Sequence, residues 1–557
     1  MAKSLSSRSC RLSALLHMSP VLLVAPLLVI AAGDNKAKDS SWIGWGGNSY
    51  NNRWASTNTK ISSSNIKSVT EHCHIPGYKG GVTATPSVAN GIAYFPSWNG
   101  SLVALDYTTC KVKWDINCTQ LILDYAPPDP LQAAVAPYPI CRTSPQIDLD
   151  NNVIYFGTLW NALLVAADLK TGKILAKHRV HPHPLAQVTQ SPTLLGDIIY
   201  LGASSVEESV GFMPNSNYTC CTFVGNAIAV RYNHKARKFT TVWDTPMMPP
   251  NDDPSEPGYW SGSAIWGSQP SIDPKRNTIF YATGNLYSVP DKWLPCTADP
   301  FHPACELPSE VWQEAVVALD LKTGKVKWVR RLAVLDAWTV ACFHPNFDPN
   351  LCPYTPGTDV DFGMAPTFVH GVGKGKKKRD VVVVGQKNGN LYSLAADTGE
   401  LEWAVSTGPA GEGGGLTWGI AVDDKRVYYI NVNSERETWT PKPQPGPRAG
   451  RSTNGSAYGA ADLETGKILW ETPVPDNWLA SNPPTVVGDL VLLGRRQDVP
   501  PAEGQLVVLR KTTGDILMDR PLDGHFTGGI AVVGKKLLFG SGFHGAYDGS
   551  FYVMSVK

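Results

Sequence analysis

The chain has 557 residues, 43% hydrophobic and 17% charged, which is enough apolar material for a large core and excludes both a disordered chain and a small disulfide-stapled one. With 49 basic and 48 acidic residues the net charge is +1, which leaves no electrostatic footprint for nucleic acid. Its 51 glycines, 44 prolines, 18 tryptophans and 20 tyrosines suit many short strands joined by turns rather than long helices.

The first element is an export signal. Lys3, Arg8 and Arg11 form a basic start, Val21 to Ile30 is apolar, and Ala31, Ala32 and Gly33 offer a small-residue cleavage site. The expectation is a signal peptide over 1–33 and a single folded domain over 34–557, secreted or, in a bacterial host, periplasmic. An uncleaved anchor is the alternative.

A motif then recurs along the chain. Ala318 to Trp328 reads A-L-D-L-K-T-G-K-V-K-W, and related copies lie at Ala460 to Trp470, Ala166 to Ala176 and Leu394 to Trp403. Weaker copies stand at Ala104 to Trp114, with Cys110 in the glycine place, and at Val508 to Met518. The turn glycines are Gly172, Gly324, Gly399, Gly466 and Gly514, each suited to a positive φ. Upstream of each motif lie β-rich runs bounded by Gly and Asn, which read as antiparallel strands. The four-strand units begin near Val82, Cys141, Val188, Ser263, Asp361, Leu416, Asn482 and Phe526. Eight such units predict an all-β, eight-bladed propeller. The eighth unit lacks its outer strand, and an N-terminal strand within Trp42 to Ala55 is expected to close the ring. The basic run Lys374 to Arg379 reads as an exposed hairpin loop between Val369 and Val381.

Of the 11 cysteines, Cys10 lies in the signal and ten remain, so disulfides are expected throughout. Spacing suggests Cys296–Cys305 and Cys342–Cys352 as local closures, and Cys220 and Cys221 are adjacent. Sequons at Asn99, Asn117, Asn217 and Asn454 fit a glycosylating secretory route.

The repeat A-x-D-x-x-T-G-K-x-x-W resembles the tryptophan-docking motif of the pyrroloquinoline quinone (PQQ) dehydrogenases, over Trp42 to Lys557. The opening W-x-G-W-G-G-N-x-Y-N-N-R at Trp42 to Arg53, Phe95 to Gly100 and Cys220 to Phe223 are similar to the polyvinyl-alcohol-dehydrogenase-like branch. The resemblance implies PQQ on a Ca2+ ion at the propeller axis. It also implies an alcohol substrate, secondary or polymeric by the branch, and electrons passed to an external cytochrome or quinone.

Residue by residue, the resemblance places a metal carboxylate at Glu207, closing Gly202 to Glu207, with Glu208 as the alternative. A second ligand is Asn285, closing Tyr281 to Asn285. Trp266, in the W-G…D-P pattern ending at Asp273-Pro274, is the platform under the quinone. Lys387 is the cation beside the quinone oxygens, Arg142 the partner of the cofactor carboxylates, and Thr189 and Ser204 the hydroxyl contacts. Thr339 to Val360 reads as an insertion, which gives Asp361 the place of the catalytic base and a share in the metal, with Asp359 and Asp336 as runners-up. Cys220 and Cys221, as a vicinal disulfide, would lie against the quinone, although they follow Glu207 rather than precede it by a blade. The competing reading is a non-catalytic propeller that serves as a binding or scaffold protein.

Overall fold

The computed structural model describes residues 40–557 apart from 213–217, 219, 252–257, 343–350, 354, 374–377, 444–449, 498–502, 544 and 546. The expected signal over 1–33 lies outside the described residues, as does Asn217; Asn99, Asn117 and Asn454 are exposed. Among the described residues no helix is long and apolar enough to cross a membrane.

Eight four-stranded antiparallel meanders form the propeller blades. Blade 1 is Ser87–Ala89, Ile92–Pro96, Ser101–Asp106 and Lys111–Asn117, paired in chain order. Blades 2 to 7 repeat this plan over 146–179, 193–246, 271–331, 367–406, 421–473 and 485–522. Blade 8 takes three strands from 531–555, and its outer strand is Thr70–Tyr78, paired with Gly549–Ser555. The ring is therefore closed by an N-terminal strand, but a later one than Trp42 to Ala55. Thr367–Val372 and Arg379–Gly385 pair as the hairpin expected around the basic run.

The Trp42 to Ala55 segment could not have been that strand. Gly44, Gly47, Asn51 and Arg53 all have positive φ, which breaks an extended run. The segment instead threads past the inner strands. Gly44 N donates to Ser87 Oγ of blade 1 and Gly46 N to Gln269 Oε1 just before blade 4. The carbonyls of Tyr50, Asn52 and Arg53 accept from Phe368, Val422 and Val486 of blades 5, 6 and 7. Arg53 is wholly buried without a carboxylate partner. Its guanidinium donates to the carbonyls of Trp45, Pro484 and Ile530 and to the hydroxyls of Thr85 and Thr485. Trp54–Ala55 joins a sheet, parallel to Thr485–Val487, and Trp42 makes a single antiparallel bridge to Val88 of blade 1.

The repeated tryptophans join blade to blade. Trp114, Trp243, Trp328, Trp403 and Trp470 lie against Gly172, Gly324, Gly399, Gly466 and Gly514 of the following blade. In each case the indole Nε1 donates to the carbonyl three residues before that glycine: Leu169, Leu321, Ala396, Leu463 and Lys511. The blade 8 to blade 1 seam is built differently. Cys110, in the glycine place and with a φ of 60°, is disulfide-bonded to Cys73 of the closing strand. The other pairs are Cys118–Cys141, Cys220–Cys221, Cys296–Cys305 and Cys342–Cys352, so all ten cysteines are used. A Cβ at Gly324 would stand 2.6 Å from the Trp243 ring at a φ of +67°. Gly324→Ala is accordingly expected to destabilise by about 1–3 kcal/mol from the backbone alone. The check is the urea midpoint, and an unshifted midpoint would show the dock to be slack.

Candidate functional site

The turns that end the second strand of each blade and the segments that lead into the inner strands converge at one end of the axis. There they line a cavity of about 480 Å³, within the range of small-molecule sites. Among its walls are Arg142, Thr189, Ser204, Glu208, Trp266, Asp359, Asp361, Lys387 and Trp418.

Trp266 and Asp361 meet directly: the indole Nε1 donates to Asp361 Oδ2 at 2.7 Å. Trp266 is fixed at its sides by an edge contact with Trp418, with ring centres 5.4 Å apart, and by Lys387, whose Nζ stands 5.3 Å from the indole centre. At Gly267, φ is +80° and a Cβ would strike the Gly363 carbonyl at 2.3 Å, so the Trp-Gly pair needs its glycine to set the indole here.

Among the described residues Lys387 is the cation paired with the two neighbouring acids. Its Nζ lies 2.8 Å from Asp361 Oδ1 and 3.0 Å from both oxygens of Asp359. Burial works against the ammonium charge, but Asp361 and Asp359 outweigh it and hold Lys387 protonated well above its ordinary range. Burial likewise opposes ionisation of Asp361, yet Lys387 and the hydrogen bonds from Asp359 and Trp266 bring it below the usual carboxylate range. Asp359 goes the other way, well above it, through burial and the charge of Asp361. The two acids are thus driven apart, Asp361 toward the ionised form and Asp359 toward the protonated one.

Asp336, a runner-up for the base, does not line the cavity. Its Oδ2 accepts the Val360 amide at 2.9 Å and its Oδ1 the Asp359 amide at 3.3 Å, so it clamps the turn that carries both acids. Glu314, buried beside it, is pushed well above the usual carboxylate range by burial and by Asp336.

Of the two adjacent acids, it is Glu208, the alternative, and not Glu207 that lines the cavity. Glu207 is wholly buried and absent from the cavity wall. Its carboxylate accepts from the amides of Thr222 and Phe223 at 2.8 Å and from the Tyr218 hydroxyl, with His183 Nε2 at 3.5 Å. These bonds fix the loop around the cysteine pair. Burial resists the charge, but His183 and Tyr218 outweigh it and keep Glu207 ionised. Glu208 is the one that lines the cavity, pushed up to about 7 by burial and by Asp361.

A carboxyl raised in the folded state contributes stability below its unfolded value near 4.5 and loses it as the pH rises through 7. The metal-free chain is therefore expected to lose stability between pH 4.5 and 7, and Glu208→Gln to remove part of that slope. Urea midpoints across this range provide the check, and identical slopes for the two proteins would refute it.

Asn285 is buried behind the wall, with Nδ2 donating to the carbonyls of Leu286 and Trp338. It follows Gly284, where an added Cβ would come within 3.0 Å of Asp361 Oδ2. Cys220 and Cys221 form the vicinal disulfide but do not line the cavity. Cys220 packs against Leu185, Val210, Ala341 and Leu351, and Cys221 lies in the cluster with Phe223 and Tyr287. The Glu207 clasp draws their loop into the apolar layer behind Tyr287, itself a wall residue. Thr189 and Ser204 do meet, hydroxyl to hydroxyl at 2.7 Å, because Gln187 and Ser204 are paired in a short ribbon.

Arg142 is pulled down to about 10 by burial and remains a cation at neutral pH. It lies 5.8 Å from the Trp98 ring and 5.6 Å from the Trp418 ring, with no carboxylate against it among the described residues. Trp98, Trp418 and Tyr287 were not anticipated as site residues. The pair Trp418-Gly419 repeats Trp266-Gly267 and was the available signal for the first of them.

Comparison with known proteins gives dehydrogenases as sequence relatives and an assembly-factor family model over part of the repeats. The family model described as "Outer membrane protein assembly factor BamB" matches residues 387–517, a stretch of the blade repeats. A polyvinylalcohol dehydrogenase of Pseudomonas sp is 29% identical over 70% of this chain and 54% of its own length. The chain spans about half the length of the curated relatives it matches first. Among solved structures, quinohemoprotein alcohol dehydrogenase from Comamonas testosteroni superposes with a TM-score of 0.64 at 17% identity, covering 94% of this chain and 81% of that one. A europium-containing methanol dehydrogenase gives 0.62 at 17% identity, over 94% and 99%. The eight-bladed fold is shared with these dehydrogenases, and the resemblance of the chain to the PQQ-dependent alcohol dehydrogenases, their polyvinyl-alcohol-dehydrogenase-like branch included, is borne out by its sequence relatives.

Proposed function

We propose that the protein is an exported PQQ- and Ca2+-dependent dehydrogenase that oxidises an alcohol, secondary or polymeric, and passes the electrons to an external cytochrome or quinone. The observation that carries this reading is the buried cluster of Trp266, Asp361, Asp359 and Lys387 beside an uncompensated Arg142. Glu208, Asp359 and Asp361 line the cavity around Lys387, an excess of acidic oxygens that suits a hard cation. A propeller that serves only as a scaffold has no use for such a cluster, since each buried carboxylate costs stability.

The residues fit the cofactor. Glu208 and Asp361 would hold the ion, with Asn285 at their back, and Glu208 replaces Glu207 in that role. Trp266 offers a flat face for the ring system, and Arg142, Thr189 and Ser204 offer a cation and two hydroxyls for its carboxylates. When bound, the cation-polarised quinone supplies a hydride acceptor. Asp361, held ionised, takes the proton of the substrate hydroxyl, and Lys387 stays charged to offset the acids around it. Cys220 and Cys221 support the site from behind Tyr287 rather than by contact.

The test is reconstitution of the purified chain with PQQ and Ca2+. A bound-quinone absorption band together with dye-linked alcohol oxidation is the expected result. A chain that takes up neither PQQ nor Ca2+ would leave the scaffold reading in its place.

A further inference from the structure

Behind the wall of the axial cavity lies a further buried acid. Glu314 is wholly buried, one residue before the third strand of blade 4, Ala315–Asp320. Its φ is 44°, a conformation that costs a residue with a side chain about 1–3 kcal/mol. It is held there by its amide, which donates to the Gly284 carbonyl, and by its own carbonyl, which accepts the Leu332 amide. Gln386 Nε2 donates to Glu314 Oε2 at 3.4 Å, while Oε1 is buried and receives no donor among the described residues. Lys387 does not serve it, being paired with Asp359 and Asp361.

The chemistry of that oxygen follows from its neighbour. Glu314 shares a side-chain hydrogen bond with Asp336, and two carboxyl groups can bond only if one supplies the proton. Both Asp336 oxygens already accept, Oδ2 from the Val360 amide at 2.9 Å and Oδ1 from the Asp359 amide at 3.3 Å. The O–H is left to Glu314, in keeping with the upward push that burial and Asp336 give its carboxyl. Asp336 is also tied through its backbone, since its amide donates to Gln313 Oε1 at 2.9 Å. The returning chain passes so near that a Cβ at Gly357 would overlap Asp336 Oδ1, and the Gly357 amide donates to the Ala337 carbonyl at 2.7 Å. The neck of this excursion is thus closed beside Asp336, just before the two cavity acids.

We propose that Glu314 is a positioning residue: its carboxyl O–H donates to Asp336 and so fixes the carboxyl group that carries the turn of Asp359 and Asp361. Glu314 does not line the cavity and acts through Asp336. What it sets is the angle at which Asp361 meets Trp266 and Lys387. The bearing on turnover rests on the proposed alcohol oxidation, whereas the fixing of the turn does not depend on that reading.

The experiment is hydrogen–deuterium exchange of the full chain, prepared without cofactor and followed by mass spectrometry over 355–366, which reads the Asp359 and Val360 amides. Glu314→Leu removes the O–H but keeps much of the volume, and is expected to speed their exchange by about tenfold or more. Glu314→Gln keeps a donor in the same place and should stay within about threefold of the parent. Asp336→Asn should exchange as fast as Glu314→Leu, and the double variant no faster than either, as residues acting in series do. Melting curves come first. Should Glu314→Leu not fold, Asp336→Asn and Glu314→Gln carry the test, the first expected fast and the second parent-like. Parent-like exchange in Glu314→Leu would overturn the proposal, and so would fast exchange in Glu314→Gln, which would mean that Glu314 acts as an ionised acid. After reconstitution, Glu314→Leu should lose turnover by about tenfold or more with KM little changed, and Glu314→Gln should restore it. Exchange as expected in a chain that cannot be reconstituted would leave the positioning role standing and sink the enzymatic reading. An active enzyme whose exchange ignores Glu314 would do the reverse.

Discussion

Asp361→Asn is expected to lower the turnover of the reconstituted enzyme by about 10²–10⁴-fold, the usual contribution of a positioned general base. The substitution keeps the shape of the side chain, and the amide oxygen can still accept the Trp266 indole hydrogen that now goes to Asp361 Oδ2. What it removes is the capacity to take a proton. Asp361 is the member of the pair drawn toward the ionised form, by Lys387 against the pull of burial, whereas burial and Asp361 draw Asp359 toward the protonated one. Asp359→Asn should therefore cost much less, because a neutral side chain is what that place favours. Steady-state kinetics with a dye acceptor, alongside a melting curve for each variant, separates the two. If Asp361→Asn turns over within threefold of the parent, or if the Asp359 variant is the more damaged, the base has been misassigned.

The second large effect is on stability. Arg53→Met should destabilise the fold by an amount on the order of 5 kcal/mol. The methionine fills much of the same space, but the carbonyls of Trp45 and Pro484 lose their donor in a place that water does not reach, while Ile530 keeps the Thr485 hydroxyl. Each such acceptor costs about 1–3 kcal/mol. The guanidinium also lies over the Trp45 ring at 4.3 Å, a contact that methionine replaces only in part. Arg53→Lys should fall between the two, since an ammonium cannot span acceptors on blades 1, 7 and 8 at once. Denaturant midpoints order the three proteins, and a methionine variant as stable as the parent would mean that the opening segment contributes nothing to the ring.

The blades were legible because their signal is local. A T-G turn needs its glycine and a docked tryptophan needs its turn, so five copies of one short pattern reveal the architecture. Ring closure was harder to read. Thr70–Tyr78 is an outer strand with most positions exposed and Pro76 within it, so it shows no alternation. The opening segment is richer in tryptophan and drew the assignment instead.

In the site, Trp266 and Asp361 converge because each stands just before the inner strand of its blade, Ser271–Asp273 and Thr367–Val372, and Lys387 because it stands just after Arg379–Gly385. Glu207 and Glu208 differ by one position, and only the phase of the turn after Ser204–Ser205 decides which faces the axis. The cysteine pair was displaced by a tertiary cause, the Glu207 clasp, which adjacency does not encode.

The closing strand and the threaded segment have a consequence for how the molecule comes into being. They are the first described residues of the chain, and their partners include nearly the last: Thr70 pairs with Ser555, and Arg53 bonds to Ile530. A chain delivered from its N-terminus presents these pieces hundreds of residues before anything exists to receive them. Until the final strand arrives, seven blades can stack with a bare apolar sheet face at each end, and such faces recruit other chains. Loop-closure entropy grows slowly with length, so the finished ring is little penalised by its long-range seam. The exposure falls on the path to the ring, where the interval before closure is the period in which aggregation competes with assembly.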